Sequence, residues 1–357
     1  IRNNSMIRNR ANDNGGGVYS LDCHFSMVDN RLIENTSVNE GGGFCAIGEG
    51  GLITIENSVF CNNRGGVGGG IYMHSPLRSG SGNVLNVVNA ILSHNHSARS
   101  AGAIYFRTEG ARGNLINCTI ANNYANGGGG IYLFEGEIIA LNCVFAYDSA
   151  SHGREIEITE GPFNLAYCHF SSGIASPWIH GDWGYIPIDN PPTIGNPLFA
   201  DTTSCDVGYT PCPDSPLIDS GAGFIVYDDD TIWAPETDIF GNERDPVNPY
   251  IGAIEDTVIA SLILGSNNTY PSGLDISLRP NPFNSSIMIE WKIPEASEVK
   301  LEIIDIGGRI VETLLDKTMK AGNHELIWQS DKSPSGIYFI RMTAGKHTIT
   351  KRALLIK

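Results

Sequence analysis

Lysine is missing from the first 277 residues of this 357-residue chain, aromatic residues supply only 9 % of it, and no apolar run is long. Each shortage excludes something. The lysine-free stretch sets 11 arginines against 30 aspartates and glutamates, too few cations to neutralise a phosphate backbone, so neither nucleic acid nor an anionic membrane is an expected partner. The longest apolar candidate, Val258 to Leu264, falls far short of the roughly 20 residues needed to span a bilayer, and no transmembrane segment is expected. Eight cysteines are too few for a disulfide-dense scaffold of this length. There is no Cys-x-x-Cys pair and no His/Cys pairing at metal-ligand spacing, so no metal site is expected. Cys205 and Cys212 lie close together in a segment containing Pro, Asp and Gly and are the pair expected to close a local disulfide. No positively charged and then apolar leader opens the sequence, so a signal peptide, if the protein has one, is expected upstream. The 3.6-residue apolar period of a helix is also missing, which excludes a helical repeat.

What is present in quantity is glycine and asparagine, in register. Aligning Asn117-Cys-Thr-Ile with Asn142-Cys-Val-Phe gives a column of Asn4, Asn30, Asn57, Asn89, Asn117 and Asn142, then Tyr167. Three positions on runs a wholly apolar column: Ile7, Ile33, Phe60, Leu92, Ile120, Phe145 and Phe170. A glycine cluster follows, starting at Gly15, Gly41, Gly68, Gly128 and Gly153, and then Val18, Phe44, Ile71, Ile104, Ile131 and Ile156. Apolar residues two apart, bounded by Gly and Asn, are short strands with one buried face. A period near 25 residues with two or three such strands is one coil of a solenoid whose coils stack at about 4.8 Å. Asparagine suits the bends because it tolerates the left-handed conformation and bonds to neighbouring backbone. The predicted fold class is all-β: a right-handed parallel β-helix over 1–255, then a small immunoglobulin-like β-sandwich. Cys118, Cys143 and Cys168 fall in one column with Ser5, Arg31, Ser58 and Ala90, which predicts free thiols filling core space. Arg31 does not fit such a column.

The Gly-Gly-Gly-Ile and Phe-x-x-Asn repeats over about 1–175 resemble those of bacterial surface β-helix proteins, among them the polymorphic outer-membrane and pectin-lyase-like right-handed β-helix families. From about 176 the repeat decays. Asn196-Pro-Leu-Phe-Ala-Asp201, Asp214 to Gly221 and Asp238 to Arg244 resemble the closing segment catalogued as a choice-of-anchor domain. Residues 176–255 are therefore expected to be the last coils plus a cap that blocks the open end.

Residues 256–277 have the composition of a linker. Beyond them the charge reverses, with 12 lysines and arginines against 9 carboxylates in 278–357, and short alternating strands separated by turn signals predict a β-sandwich. Pro280, Asn281, Pro282, Phe283, Gly308, Arg309, Gly336, Tyr338 and Lys357 make this module resemble the C-terminal sorting domain of type IX secretion substrates. That resemblance implies the type IX machinery as partner and a secreted or cell-surface location, associated with the outer membrane of a Gram-negative bacterium.

Function on the β-helix is less marked. An outward column of Tyr19, Cys45, Tyr72, Tyr105, Tyr132 and Glu157 is a candidate sugar-binding face, since an aromatic with a polar tip gives contact area at low entropic cost. Arg78, Arg107 and Arg112, on inserted loops, are candidates for an acidic sugar. His180, with Trp178 and Trp183, is a further candidate lining. The acidic run Asp228, Asp229 and Asp230 is the catalytic candidate if the chain is a polysaccharide lyase or glycoside hydrolase. It lacks the spaced ligands and glycine of a calcium loop, and beyond calcium no cofactor is expected. The favoured expectation is an adhesin or carbohydrate-binding scaffold, with the enzyme and a purely structural surface spacer as alternatives.

Overall fold

The computed structural model describes residues 1–75, 84–171, 178–180, 184–186, 192–255, 275–281, 283–293, 296–305, 309–330, 333–345 and 347–357. Of the positions singled out above, Arg78, Pro282, Gly308, Trp183, the side chain of Trp178 and the linker up to residue 274 lie outside these. The chain divides into two compact units, Ile1–Asp256 and Thr257–Lys357.

The first unit is a β-solenoid of parallel strands. One face is an eight-stranded sheet running from Ser5–Ile7 through Arg31–Ile33, Val59–Cys61, Ile91–Ser93, Thr119–Ala121 and Val144–Ala146 to His169–Phe170 and Thr193–Ile194. A second, narrow face stacks Arg10–Ala11, Thr36–Ser37, Arg64–Gly65 and His96–Ser97. The third is a twelve-stranded sheet that includes Phe44–Ile47, Ile71–His74, Ile104–Ile116, Ile131–Leu141 and Ile156–Ile158. Val18, Phe44, Ile71, Ile104, Ile131 and Ile156 pair in register, as the repeat predicts. They face Leu32, Phe60, Leu92, Ile120, Phe145 and Phe170 across one core. Glycine is required where consecutive bends touch: a Cβ on Gly42 would collide with the carbonyl oxygen of Gly69.

The register of the first two coils is one residue away from the sequence alignment. Ser5 pairs with Arg31 and Arg31 with Val59, so Met6 and Leu32, not Ile7 and Ile33, align with Phe60. Asn4 and Asn30 therefore leave the asparagine column and stand above Ser58, and the left-handed column is Asn3, Asp29, Asn57, Asn89, Asn117, Asn142 and Tyr167, all with φ between 48° and 55°. Both registers put an asparagine or aspartate at the bend before a strand, so the repeat alone does not separate them. Burial does, because a one-residue slip turns every side chain to the other face: Leu32 is fully buried, whereas Ile7 is 37 % exposed. The shift also accounts for Arg31. It belongs to the outward column with Val59, Ile91, Thr119 and Val144, where its guanidinium meets Asp206 at 2.7 Å.

A second asparagine column, inside the solenoid, carries more hydrogen bonds than the first. Asn9, Asn35, Asn63, Asn95 and Asn123 each donate backbone N–H and side-chain Nδ2 to the Oδ1 of the next member, the last acceptor being Asp148. The second Nδ2 hydrogen reaches a carbonyl of the preceding coil, as in Asn95 to Phe60 at 2.9 Å. Cys118, Cys143 and Cys168 are buried free thiols. Their sulfurs donate to the carbonyls of Val87, Leu115 and Ala140.

Residues 196–255 return along the outer face of the eight-stranded sheet, where Tyr209, Leu217, Ile251, Ala253 and Ile254 cover Val59, Ile91, Ala121 and Val144. The outer asparagines hold this strap in place: Asn89 donates to the Thr237 carbonyl, Asn117 to those of Tyr250 and Gly252, and Asn142 to that of Ala222. Arg244 is buried, reaching Glu255 and the Asn89 Oδ1. The expected Cys205–Cys212 bridge is not formed. Cys205 joins Cys61, 144 residues away, across a Cα separation of 5.6 Å, and Cys212 stays a free thiol. Because the strap runs back over the sheet, Cys205 lies against an early strand instead of its chain neighbour. The face needs the strap because Val59, Ile91 and Val144 make most of its outward column apolar.

The second unit packs a three-stranded antiparallel sheet (Asp275–Arg279, Ser286–Ile293, Gly322–Gln329) on a four-stranded one (Ser297–Asp305, Ile310–Met319, Gly336–Ala344, His347–Leu355). Ile287, Ile289, Trp291 and Ile293 from the first meet Val299, Leu301, Ile303, Ile340 and Met342 from the second.

Candidate functional sites

The outward aromatic column is assembled as the repeat predicts, and its rings face each other. Tyr72 and Tyr105 stack at 5.1 Å with 8° between planes, and Tyr132 and Phe134 close against Tyr105. Tyr72 and Tyr105 are each only 8 % exposed, which leaves little ring face for a sugar. Burial pushes the Tyr105 phenol up to about 12. Tyr19, at the head of the column, is exposed. Tyr132 bonds Thr159 through its hydroxyl at 2.8 Å. Arg107 covers the Phe134 ring at 4.6 Å and pairs with Glu135 at 3.8 Å.

The acidic run and Arg112, proposed separately from sequence, come together. Arg112 donates to Glu137 at 3.0 Å and to Asp228 and Asp230 at 3.3 Å each, and lies over the Tyr227 ring. Tyr227 donates its hydroxyl to Glu137 at 2.6 Å; burial and that carboxylate push its phenol up to about 12. This is the attachment of the Phe224–Tyr227/Asp230–Trp233 hairpin to the twelve-stranded sheet. Two of the three catalytic candidates hold a guanidinium, and Asp229 is exposed at the turn.

On the narrow face a groove of about 640 Å³ opens between stacked side chains, with Asn62, Arg64, His94, His96, Asn122 and Tyr124 on its walls. The Tyr124 ring lies flat on His96, 4.9 Å between centroids with 22° between planes, and stays 49 % exposed. Burial, and then Arg64, depress the His96 pKa, which keeps the imidazole neutral with one donor and one acceptor nitrogen. The column runs Arg10, Thr36, Arg64, His96 and Tyr124, and its chemistry changes from coil to coil, which hides it in the sequence.

The outward aromatic column ends in Glu157, which pairs with Tyr132 on one side and Trp178 on the other. Its carboxylate is 3 % exposed; Oε1 lies 2.5 Å from His180 Nε2 and Oε2 lies 3.0 Å from His152 Nδ1. The three donor atoms are within 4.8 Å of one another. Sequence spacing conceals this trio, because His180 arrives 23 residues later from another coil.

In the second unit, Phe283 and Tyr338 pack against Trp328, with centroids 5.5 and 5.2 Å away. Tyr338 donates its hydroxyl to the Pro334 carbonyl, and Lys357 reaches the Ser330 carbonyl through Nζ. Pro280, Asn281 and Arg309 are exposed and Gly336 half-buried. Residues 277–357 match the family described as secretion system C-terminal sorting domain. The tail is thus a type IX sorting domain, and the protein is secreted or displayed at the cell surface. No curated protein matches the chain.

Proposed function

We propose that the β-helix of this exported protein is a carbohydrate-binding adhesin module, with polysaccharide lying along the narrow-face groove. The observation that supports the reading is the half-exposed Tyr124 ring, held flat by His96 and flanked by Arg64, Asn62 and Asn122. A flat amphipathic ring with adjacent hydrogen-bonding groups is what a sugar needs from a protein: apolar contact for its C–H face and partners for its hydroxyls. Stacking sets Thr36, Arg64, His96 and Tyr124 in a row along the solenoid axis, which suits an extended glycan chain. Arg64, in a groove whose one carboxylate, Glu34, is paired with Arg8, takes over the part assigned from sequence to Arg78, Arg107 and Arg112.

The test is a glycan array with the intact chain, followed by titration of the strongest hit against Tyr124→Ala and Arg64→Ala. Loss of one aromatic platform should weaken binding about tenfold or more, since such contacts contribute on the order of 1–2 kcal/mol. A hit that neither variant weakens would move the site elsewhere. Release of unsaturated or reducing ends from the same glycans would replace the adhesin reading with a lyase or hydrolase, and no hit at all would favour a spacer.

A further inference from the structure

We propose that His152, Glu157 and His180 form a divalent transition-metal site, occupied by zinc, with at least one coordination position open to solvent. Among the described residues, the ion-pair partners of the Glu157 carboxylate are the two imidazoles, at 2.5 and 3.0 Å. The carboxylate is 3 % exposed, and a metal ion would take the same nitrogen and oxygen lone pairs that meet in these contacts. The geometry accommodates one. One donor atom from each residue lies within 4.8 Å of the other two, and ligand edges around a tetrahedral zinc run roughly 3.3 Å for bonds of about 2.0–2.1 Å, so small side-chain adjustments bring the three donors around one ion.

The donor set identifies the ion class. Two imidazole nitrogens and one carboxylate suit zinc and its first-row neighbours, whereas calcium and magnesium take oxygen ligands. The surroundings are built for close approach. A Cβ on Gly127 would collide with Glu157 Oε2 and lie 2.6 Å from His152 Cε1, so glycine makes room for the imidazole over the carboxylate. The histidine side chains are 40 % and 43 % exposed, so the remaining coordination faces solvent, where a water or a ligand oxygen completes it. The three ligands come from the bend at 152, the strand Ile156–Ile158 and the segment following Trp178–Ile179. A bound ion would therefore cross-link successive coils of the solenoid.

The experiment uses the full chain, made without a histidine tag and stripped with EDTA. Zinc is titrated against a chromogenic chelator, and bound metal is counted after gel filtration. The expected result is one equivalent retained, with a rise in melting temperature. Glu157→Gln and His180→Ala should each weaken binding by more than about 100-fold, since even groups that only orient metal ligands contribute 10–100-fold. His24→Ala, exposed and away from the trio, should bind like the parent. If Glu157→Gln does not fold by far-ultraviolet circular dichroism, the half-exposed His180→Ala carries the comparison. Cobalt substituted for zinc should show visible ligand-field bands without a thiolate charge-transfer band. No retained zinc, unchanged binding in His180→Ala, or a thiolate band placing the ion on Cys23 or Cys212 would each overturn the assignment.

Discussion

Replacing Asn95 by alanine removes one link from the middle of the internal asparagine column, and its cost can be worked from the bonds lost. The side chain accepts from the Asn63 backbone N–H at 3.1 Å and from Asn63 Nδ2 at 2.9 Å. It donates to the Phe60 carbonyl at 2.9 Å and to Asn123 Oδ1 at 3.0 Å. All of these groups are buried, so no water takes the vacated places. Truncation strands two donors at Asn63, each costing about 1–3 kcal/mol, and forfeits the two donated bonds. The expected loss is about 4 kcal/mol. In a unit of this size 1 kcal/mol corresponds to roughly 2–4 °C, so the melting temperature should fall by about 10 °C. Urea and thermal unfolding followed by circular dichroism give the stability. Hydrogen exchange gives its location, because the Asn63 amide should lose protection first. Asn126→Ala, which removes only an exposed bond from Ser151 at 3.0 Å, should stay within about 0.5 kcal/mol. Equal, small losses in the two variants would refute the view that the internal column is a main stabilising element.

The column ends on Asp148, whose carboxyl is pushed well above the ordinary range by burial and then by Glu155. A raised acid pKa means that the folded chain holds a proton the unfolded chain releases; that stabilisation is complete below about pH 4 and is lost as pH rises through the folded value. Asp148→Asn, which keeps both bonds from Asn123, should therefore match the parent at pH 3.5 and be more stable at pH 8, as paired melting curves would show. Cys205→Ser opens a 144-residue loop and should cost up to about 5 kcal/mol in the chain-entropy account, measured by denaturation without reductant. Arg112→Ala frees the hairpin, which limited proteolysis should then cut within 224–233, while global stability falls by only about 1–2 kcal/mol because Asp228 and Asp230 are exposed. Deletion of 277–357 should leave the protein in the periplasm of a type IX-competent host; normal surface display would contradict its role as an export tag.

The parallel β-helix and the sorting tail were legible because their signals recur: an apolar residue at one place in every coil, and several motifs in order along one module. The outer asparagine column was read in four of its coils and displaced in two, since Asn4 and Asn30 mimic the true bend residues Asn3 and Asp29. Burial, which decides between them, is fixed only once the coils have stacked. The internal column from Asn9 to Asp148 repeats at similar spacing and could have been found as a second asparagine row. The path of the strap was hidden for a different reason. Nothing in a Pro-rich segment says which surface it will cover, although the apolar outward positions Val59, Ile91 and Val144 mark a face that water does not keep. The Cys61–Cys205 bridge and the His152–Glu157–His180 trio share that difficulty, because both join residues that only the winding of the solenoid brings together.

The strap changes how such a rod can fail. A stack of repeats in which each coil touches only its neighbours frays from its ends. Here the chain leaving the final coil travels back along the flank and is covalently fastened to the strand Val59–Cys61. Peeling that starts at the C-terminal coil must therefore lift the strap, and the bridge holds the intervening coils in one closed loop of chain. For a protein exposed outside the cell to proteases and shear, the end of the repeat array is a hem folded over and stitched, with no loose thread at that end.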